Sequence, residues 1–247
     1  MGRRLGQHFL TRQSVLERIA GVVCPEACDV VVEIGPGKGS LTSHLLGRAA
    51  RVVAIEIDHI LVQYLRSKYR EEARLELVES DVLKADLGQW GRVVVAGNLP
   101  YYITSPIVEK VLRLGPLLER AVFLVQKEVA DRLTAAPGSR DYGYLSVQTQ
   151  LLAEVERMFV VPAAEFRPAP KVDSAVVRMV PRTEAFVEDT GAFLRFAALC
   201  FHHKRKTLRN NLSGRYDKAK LETLQHKRAE ELSLPDLMAL YRFVTQP

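Results

Sequence analysis

The chain has 247 residues, of which 47% are hydrophobic and 26% are charged, and its formal net charge is +6. This composition is typical of a globular protein with a sizeable buried core. No apolar run reaches the roughly 18 residues that a membrane-spanning helix needs, and three cysteines, an odd number, argue against a disulfide framework, so we expect a cytoplasmic protein without a membrane partner.

Short apolar runs alternate with helical patterns over the first 180 residues. The runs are rich in β-branched residues and nearly continuous, which is typical of strands in a parallel sheet buried on both faces. They cover Val30–Ile34, Arg51–Ile55, Leu75–Glu79, Arg92–Ala96, Ala121–Val125, Val155–Val161 and Ser174–Val180. Their alternation with helices predicts a doubly wound α/β domain.

Three helical patterns lie before or between these runs. The first covers Ser14–Val23 and opens with Ser-Val-Leu-Glu, which resembles a capping box. The second covers His59–Tyr69. The third is expected to open with Ser105 as its N-cap, because Pro106 then occupies the first helical position.

The pattern becomes wholly helical after Pro181. The predicted helices are Ala192–His203, Leu208–Leu212, Leu221–Leu232 and Pro235–Phe243, with Ser233 as the N-cap of the last. We therefore predict two domains: residues 1–182 with the α/β sheet, and residues 183–247 as a small all-helical domain.

A glycine-rich turn, Gly35-Pro-Gly37-Lys-Gly, follows the first predicted strand. Such glycines let the backbone approach a ligand closely, because no Cβ intervenes. Glu56 ends the next strand, where a carboxylate can accept hydrogen bonds from both hydroxyls of a ribose. Asp81 ends the strand after that, where it could accept from an adenine amine. Either acid alone could equally cap a helix, but together they favour a cofactor that contains a nucleoside.

The fourth predicted strand runs into Gly-Asn-Leu-Pro-Tyr-Tyr, at the end of the sheet where ligands bind. The side-chain oxygen of Asn98 and the carbonyl of Leu99 can accept the two protons of an exocyclic amine. These bonds would localise a lone pair that is otherwise delocalised into the base. Pro100 stiffens the turn, and Tyr101 offers a ring on which a base can stack. This chemistry requires no metal ion, and by itself the motif could also be a simple turn.

Together these segments resemble the KsgA family, the small-subunit ribosomal RNA adenine N6,N6-dimethyltransferases. The resemblance covers nearly the whole chain and rests on residues 6–10, 32–39, 98–107, 126–128 and 166–174. It implies a Rossmann-like class I methyltransferase that uses S-adenosylmethionine and acts on a small-subunit precursor. We expect a monomer, because nothing in the sequence demands a larger assembly. The resemblance also implies that the cofactor contacts His8, Leu10, Gly35, Glu56, Asp81 and Asn98, with Gly37 in the same turn, and that the target adenine lies among Asn98, Leu99, Tyr101 and Phe166.

Two other functions stay open. The related Erm family methylates large-subunit ribosomal RNA, although its members typically carry Asn-Ile-Pro-Tyr instead of Asn-Leu-Pro-Tyr. The other alternative is an assembly factor that uses the fold only to bind nucleic acid. Such a protein has no need of the two acids and Asn98, which disfavours it.

Positive charge is concentrated near the end of the chain. Residues 182–247 hold 12 Lys and Arg against 8 Asp and Glu, whereas the preceding residues hold 23 against 21. This distribution indicates a segment that faces a polyanion. The predicted RNA contacts are Arg3, Arg4, Lys204, Arg205, Lys206 and Arg209; the alternative for this segment is a solvated helix face.

Overall fold

The computed structural model describes residues 8–183, 186–224 and 226–246, which divide into two compact units. The first unit extends to Ala130 and resumes at Glu154–Pro181, and the second contains Asp131–Ala153 and the residues from Arg182 onward. The chain therefore passes from one unit to the other three times, and the predicted boundary near residue 182 is one of these three points. The prediction that Asp131–Ala153 lies in the first domain is wrong.

The described part of the first unit is built around a seven-stranded sheet in the order β4-β3-β2-β5-β6-β9-β7. A separate two-residue ladder pairs β1 with β8. The strands are β1 (Phe9–Leu10), β2 (Cys28–Ile34), β3 (Ala49–Glu56), β4 (Leu75–Glu79), β5 (Val93–Asn98), β6 (Leu118–Gln126), β7 (Ala153–Val161), β8 (Phe166–Arg167) and β9 (Ser174–Pro181).

All seven predicted strands of the large sheet are confirmed, but the sheet is mixed. Strands β4, β3, β2, β5 and β6 are parallel, whereas β9 runs antiparallel to β6. A continuous apolar run indicates that a strand is buried on both faces, but it does not indicate the direction of the strand. The sequence therefore could not distinguish a mixed sheet from a fully parallel one.

Helices α1 to α4 connect the strands, and α5 lies where the first unit ends. The helices are α1 (Gln13–Val23), α2 (Ser40–Leu46), α3 (His59–Lys68), α4 (Thr104–Leu112) and α5 (Lys127–Leu133). Two predicted caps are wrong. Arg12 is the N-cap of α1, without a side-chain hydrogen bond, and α4 begins at Thr104, so Ser105 lies inside that helix.

The second unit is helical in its described residues. It contains α6 (Tyr144–Leu152), α7 (Thr190–Cys200), α8 (Leu208–Leu212), α9 (Lys218–Glu222) and α10 (Leu234–Thr245). The predicted helix Leu221–Leu232 is wrong, because α9 ends at Glu222 and the described residues between there and Leu232 contain only a 3-10 turn, at Ala229–Glu231. Ser233 is the N-cap of α10 as predicted.

The apolar face of α6 explains why Asp131–Ala153 belongs with the second unit. Val147 and Leu151 are buried in one cluster with Phe193 and Phe196 of α7 and Leu237 of α10. Burying side chains of this size contributes about 1.5–3 kcal/mol each. These long-range contacts determine the unit to which α6 belongs.

None of the described helices is both long enough and apolar enough to cross a lipid bilayer. The three cysteines are unbridged and buried.

Candidate active site

The carboxyl ends of β2, β3 and β5 border a cavity of about 420 Å³ within the first unit. Parallel strands end at one edge of a sheet, so residues that follow different strands meet there. The predicted site residues that line the cavity are His8, Leu10, Gly35, Gly37, Glu56, Asp81, Asn98, Leu99, Pro100 and Tyr101.

The turn after β2 needs glycine for both conformation and space. Gly35 and Gly37 have φ values of +66° and +59°, which L side chains rarely adopt. A Cβ on Gly37 would also lie only 2.9 Å from Cε1 of Phe9. The bare backbone at this turn therefore forms one wall of the cavity.

The carboxylate of Glu56 is held in place by three backbone amides. Its Oε2 accepts from Gly37 at 3.2 Å, and its Oε1 accepts from Ile57 at 2.9 Å and Asp58 at 3.0 Å. The N-cap of α3 is Asp58, not Glu56, which disfavours the capping alternative for this acid. An ionised carboxylate has about four acceptor sites, so Glu56 retains capacity for a ligand hydroxyl.

Asp81 is half-buried and also lines the cavity. Its Oδ1 accepts a hydrogen bond from the backbone amide of Leu83 at 2.9 Å, which orients the carboxylate within its turn. Because Asp81 also lines the cavity, its carboxylate can make this hydrogen bond within the turn and still contact a ligand.

Strand β5 brings Asn98 to the cavity edge, where its amide nitrogen donates to the backbone carbonyl of His8 at 3.1 Å. Neither Oδ1 of Asn98 nor the carbonyl oxygen of Leu99 accepts a hydrogen bond from any residue that the structure describes. Two neighbouring acceptors are therefore available to a ligand in the cavity.

The ring of Tyr101 is fixed beside these acceptors. Its hydroxyl lies 3.1 Å from Oγ of Ser174, and its ring stacks on that of His8 with 5.9 Å between centroids. The imidazole is itself held by the Pro168 carbonyl, 2.8 Å from Nδ1. Tyr101 thus presents a preorganised aromatic surface at the cavity.

The family model of ribosomal RNA adenine dimethylases matches residues 2–243. The chain belongs to the ribosomal RNA adenine dimethylase family. Membership confirms the resemblance that the sequence motifs indicated.

Curated relatives and solved structures agree with this membership. The ribosomal RNA small subunit methyltransferase A of Acidobacterium capsulatum is 43% identical, over 97% of this chain and 89% of the relative. The protein of the same name from Koribacter versatilis is 40% identical, over 96% and 92%. A dimethyladenosine transferase from Plasmodium falciparum has a TM-score of 0.81 at 27% identity, over 94% of this chain and 96% of that one. The 23S rRNA methyltransferase ErmE has a TM-score of 0.77 at 30% identity, over 96% and 100%. The predicted class I methyltransferase fold is confirmed.

One predicted residue of this adenine dimethylase site does not reach the cavity. Phe166 is 0% exposed and belongs to a cluster of buried hydrophobic residues, and its strand pairs with β1 at Leu10. In this structure it cannot stack on a substrate base, so that expectation is wrong here. An exposed aromatic residue that does line the cavity is Tyr102, which is 67% exposed and for which the sequence motifs predicted no role.

The basic segment of this family member is a loop and not a helix face, because α7 ends at Cys200. Lys204, Arg205 and Lys206 are exposed on it, and Nζ of Lys204 donates to the carbonyl of Arg140 at 2.7 Å. Arg209 differs, because its guanidinium is paired with Glu222 at 2.9 Å. Arg3 and Arg4 lie outside the described residues.

The described residues contain no group of three or more His, Cys, Asp or Glu side chains placed to hold a metal ion. The acidic groups of the site instead serve as hydrogen-bond acceptors, as the bonds to Glu56 and Asp81 illustrate.

Proposed function

We propose that the protein transfers methyl groups from S-adenosylmethionine to the N6 amine of adenines in small-subunit ribosomal RNA. The observation that carries this proposal is the pair of free acceptors, Oδ1 of Asn98 and the carbonyl of Leu99, on the cavity that also holds Glu56. Family membership supports the same reaction class.

The cavity fits the cofactor at both ends of its nucleoside. Glu56 is a preorganised acceptor for ribose hydroxyls, and Asp81 is an acceptor for the adenine amine. The backbone at Gly35 and Gly37 admits close approach, and His8 and Leu10 also line the cavity. When bound, the cofactor supplies an electrophilic methyl group on a positively charged sulfur.

The chain's own contribution is to orient and activate the amine. The two acceptors would bind the two N6 protons, which favours a pyramidal nitrogen with a localised lone pair. Pro100 limits the freedom of the turn that carries them. No step of this proposal requires a strong base within the site.

Tyr101 would supply the surface on which the target base stacks. Taking a base out of its stack costs a few kcal/mol, and stacking on an aromatic side chain contributes about 1–3 kcal/mol. A rigid ring at the cavity edge therefore offsets much of the cost of exposing the adenine.

The helical unit would bind RNA through the loop that carries Lys204, Arg205 and Lys206. These exposed cations can neutralise phosphates and release counterions. Arg3 and Arg4 stay candidates for the same role. We further propose that the enzyme acts as a monomer in the cytoplasm on a precursor of the small subunit.

The test is transfer of labelled methyl groups into purified small and large ribosomal subunits, followed by nucleoside mass spectrometry. Dimethyladenosine in small-subunit RNA alone supports the proposal, and the names of the 43% and 40% identical relatives favour this result. Label in large-subunit RNA alone would favour an activity like that in the name of ErmE. Binding of RNA without methyl transfer would favour a non-catalytic assembly factor.

A further inference from the structure

A buried carboxyl group on the cavity wall has no role in the reaction as described so far. Glu33 lies at the end of β2, lines the cavity and is 2% exposed. The buried hydroxyl of Thr42 on α2 donates to its Oε2 at 2.6 Å.

The second oxygen of this carboxyl group faces the ligand space. Oε1 of Glu33 has no hydrogen-bond partner among the residues that the structure describes. Every fully enclosed side-chain nitrogen or oxygen atom in those residues does have a partner. Oε1 must therefore open into the cavity that Glu33 lines.

The surroundings of Glu33 disfavour its negative charge. Burial is the main cause that raises the pKa of Glu33 to about 7, and the carboxylate of Glu56 on β3 adds to it. The Thr42 hydroxyl and Lys68 on α3 act in the opposite direction, but Nζ of Lys68 already donates to the Lys38 carbonyl at 3.0 Å.

Among the described residues, the strand partners of Glu33 bring no compensating positive charge. The residues paired with it on the flanking strands are Ala54 and Ala96. Asp81, which also lines the cavity, is negative when ionised. A cation that enters the cavity would therefore be the group that favours ionisation of Glu33.

We propose that Glu33 is a further cofactor-binding residue, which holds a proton in the free cavity and releases it to solvent when a cationic group of the cofactor binds. The inference rests on the proposed function, because S-adenosylmethionine carries positive charge. An adjacent positive charge lowers the pKa of a carboxyl group, so binding and proton loss are thermodynamically linked. A neutral ligand in the same cavity would leave the proton in place.

The linkage has a defined pH window. In the free protein, Glu33 is protonated below its pKa of about 7, whereas in the complex it is ionised. The cofactor therefore binds more tightly as pH rises towards that value. With this pKa, about 0.9 proton is released per site at pH 6, about 0.5 at pH 7 and about 0.1 at pH 8. The dissociation constant at pH 6 is then about tenfold higher than at pH 8.

The experiment is titration calorimetry of the full chain in two buffers that differ in ionisation enthalpy. The difference in heat counts the protons released on binding S-adenosylmethionine. The neutral nucleoside 5′-methylthioadenosine is the matched ligand, and we expect no proton release with it. Equal heats in both buffers at pH 6 with S-adenosylmethionine, or equal proton release with both ligands, would overturn the proposal.

Two variants assign the proton to Glu33 and not to another group such as His8. Glu33→Gln should abolish the release while keeping the shape of the side chain. Thr42→Val keeps the carboxyl group but removes the donor that favours its ionised form, so release at pH 8 should rise above that of the wild type. Unchanged release in Glu33→Gln, or in Thr42→Val if the first variant does not fold, would overturn the assignment.

The proposed function and this inference fail in different ways. Absence of S-adenosylmethionine binding at every pH would reject the proposed cofactor and the inference with it. Tight binding without proton release would reject only the role of Glu33.

Discussion

The amide of Asn98 is oriented by the backbone carbonyl of His8, a residue 90 positions earlier in the chain. A carbonyl oxygen only accepts hydrogen bonds, so the amide nitrogen must face it and Oδ1 must point away. The segment at β1 therefore sets the direction of the acceptor that we assign to the target amine.

Asn98→Ala should lower methyl transfer on the order of 100-fold or more, the usual cost of removing one preorganised polar group from an active site. The affinity for S-adenosylmethionine should stay within a few-fold, because Glu56 and Asp81 are retained. Single-turnover methyl transfer and cofactor titration measure the two effects. The exposed Asn210 provides the control, Asn210→Ala. Wild-type turnover in Asn98→Ala would reject the acceptor role.

Tyr101→Ala should raise KM for RNA about tenfold, because the stacking surface is lost. Tyr101→Phe removes only the hydroxyl that contacts Ser174, and its KM should stay within about fivefold of the wild type, since loss of one hydrogen bond costs about 1 kcal/mol or less at a half-buried site. Steady-state kinetics with a small-subunit substrate separate KM from kcat. Equal losses in both variants would assign the effect to the hydroxyl and not to the ring.

Phe166→Ala should destabilise the fold by about 3–5 kcal/mol, the usual cost of emptying the site of a core aromatic residue. Phe166→Leu refills most of the volume, so its free energy of unfolding should fall by less than about 1.5 kcal/mol. Denaturant unfolding and RNA binding are both measured. A large loss of RNA affinity in Phe166→Leu with unchanged stability would contradict the core assignment and restore this residue to the base-stacking surface.

Gly97→Ala should be strongly destabilising, because the added Cβ would lie 2.5 Å from the backbone carbonyl oxygen of Ile34 on the paired strand. Because β5 is paired with a strand on each side, the backbone has little room to relax. We expect the free energy of unfolding to fall by about 2 kcal/mol or more, which lowers Tm by about 4–8 °C. Gly21→Ala in α1 is the control, since its Cβ meets nothing closer than 4.0 Å and alanine favours a helix. Equal Tm values for the two variants would be inconsistent with the close approach.

Replacing Lys204, Arg205 and Lys206 together by alanine should weaken RNA binding and flatten its salt dependence. Each phosphate that the protein no longer neutralises reduces the slope of log K against log salt by about 0.7–0.9, so removing three cations should reduce it by about 2–3. Arg209→Ala should change the slope less, because that guanidinium is already paired with Glu222. An unchanged slope in the triple variant would leave the loop as a solvated surface.

The sequence by itself determined the strands, the glycine turn and the positions of Glu56, Asp81 and Asn98 at one edge of the sheet. These features depend on local patterns, and the shared direction of the central strands brings their ends together. The tertiary structure alone decided that α6 joins the helical unit, that Phe166 is core, and that Arg209 is neutralised by Glu222. It also decided the burial of Glu33 and the orientation of Asn98. Each of these depends on contacts between residues distant in the chain, which hydrophobic periodicity and motif spacing do not encode.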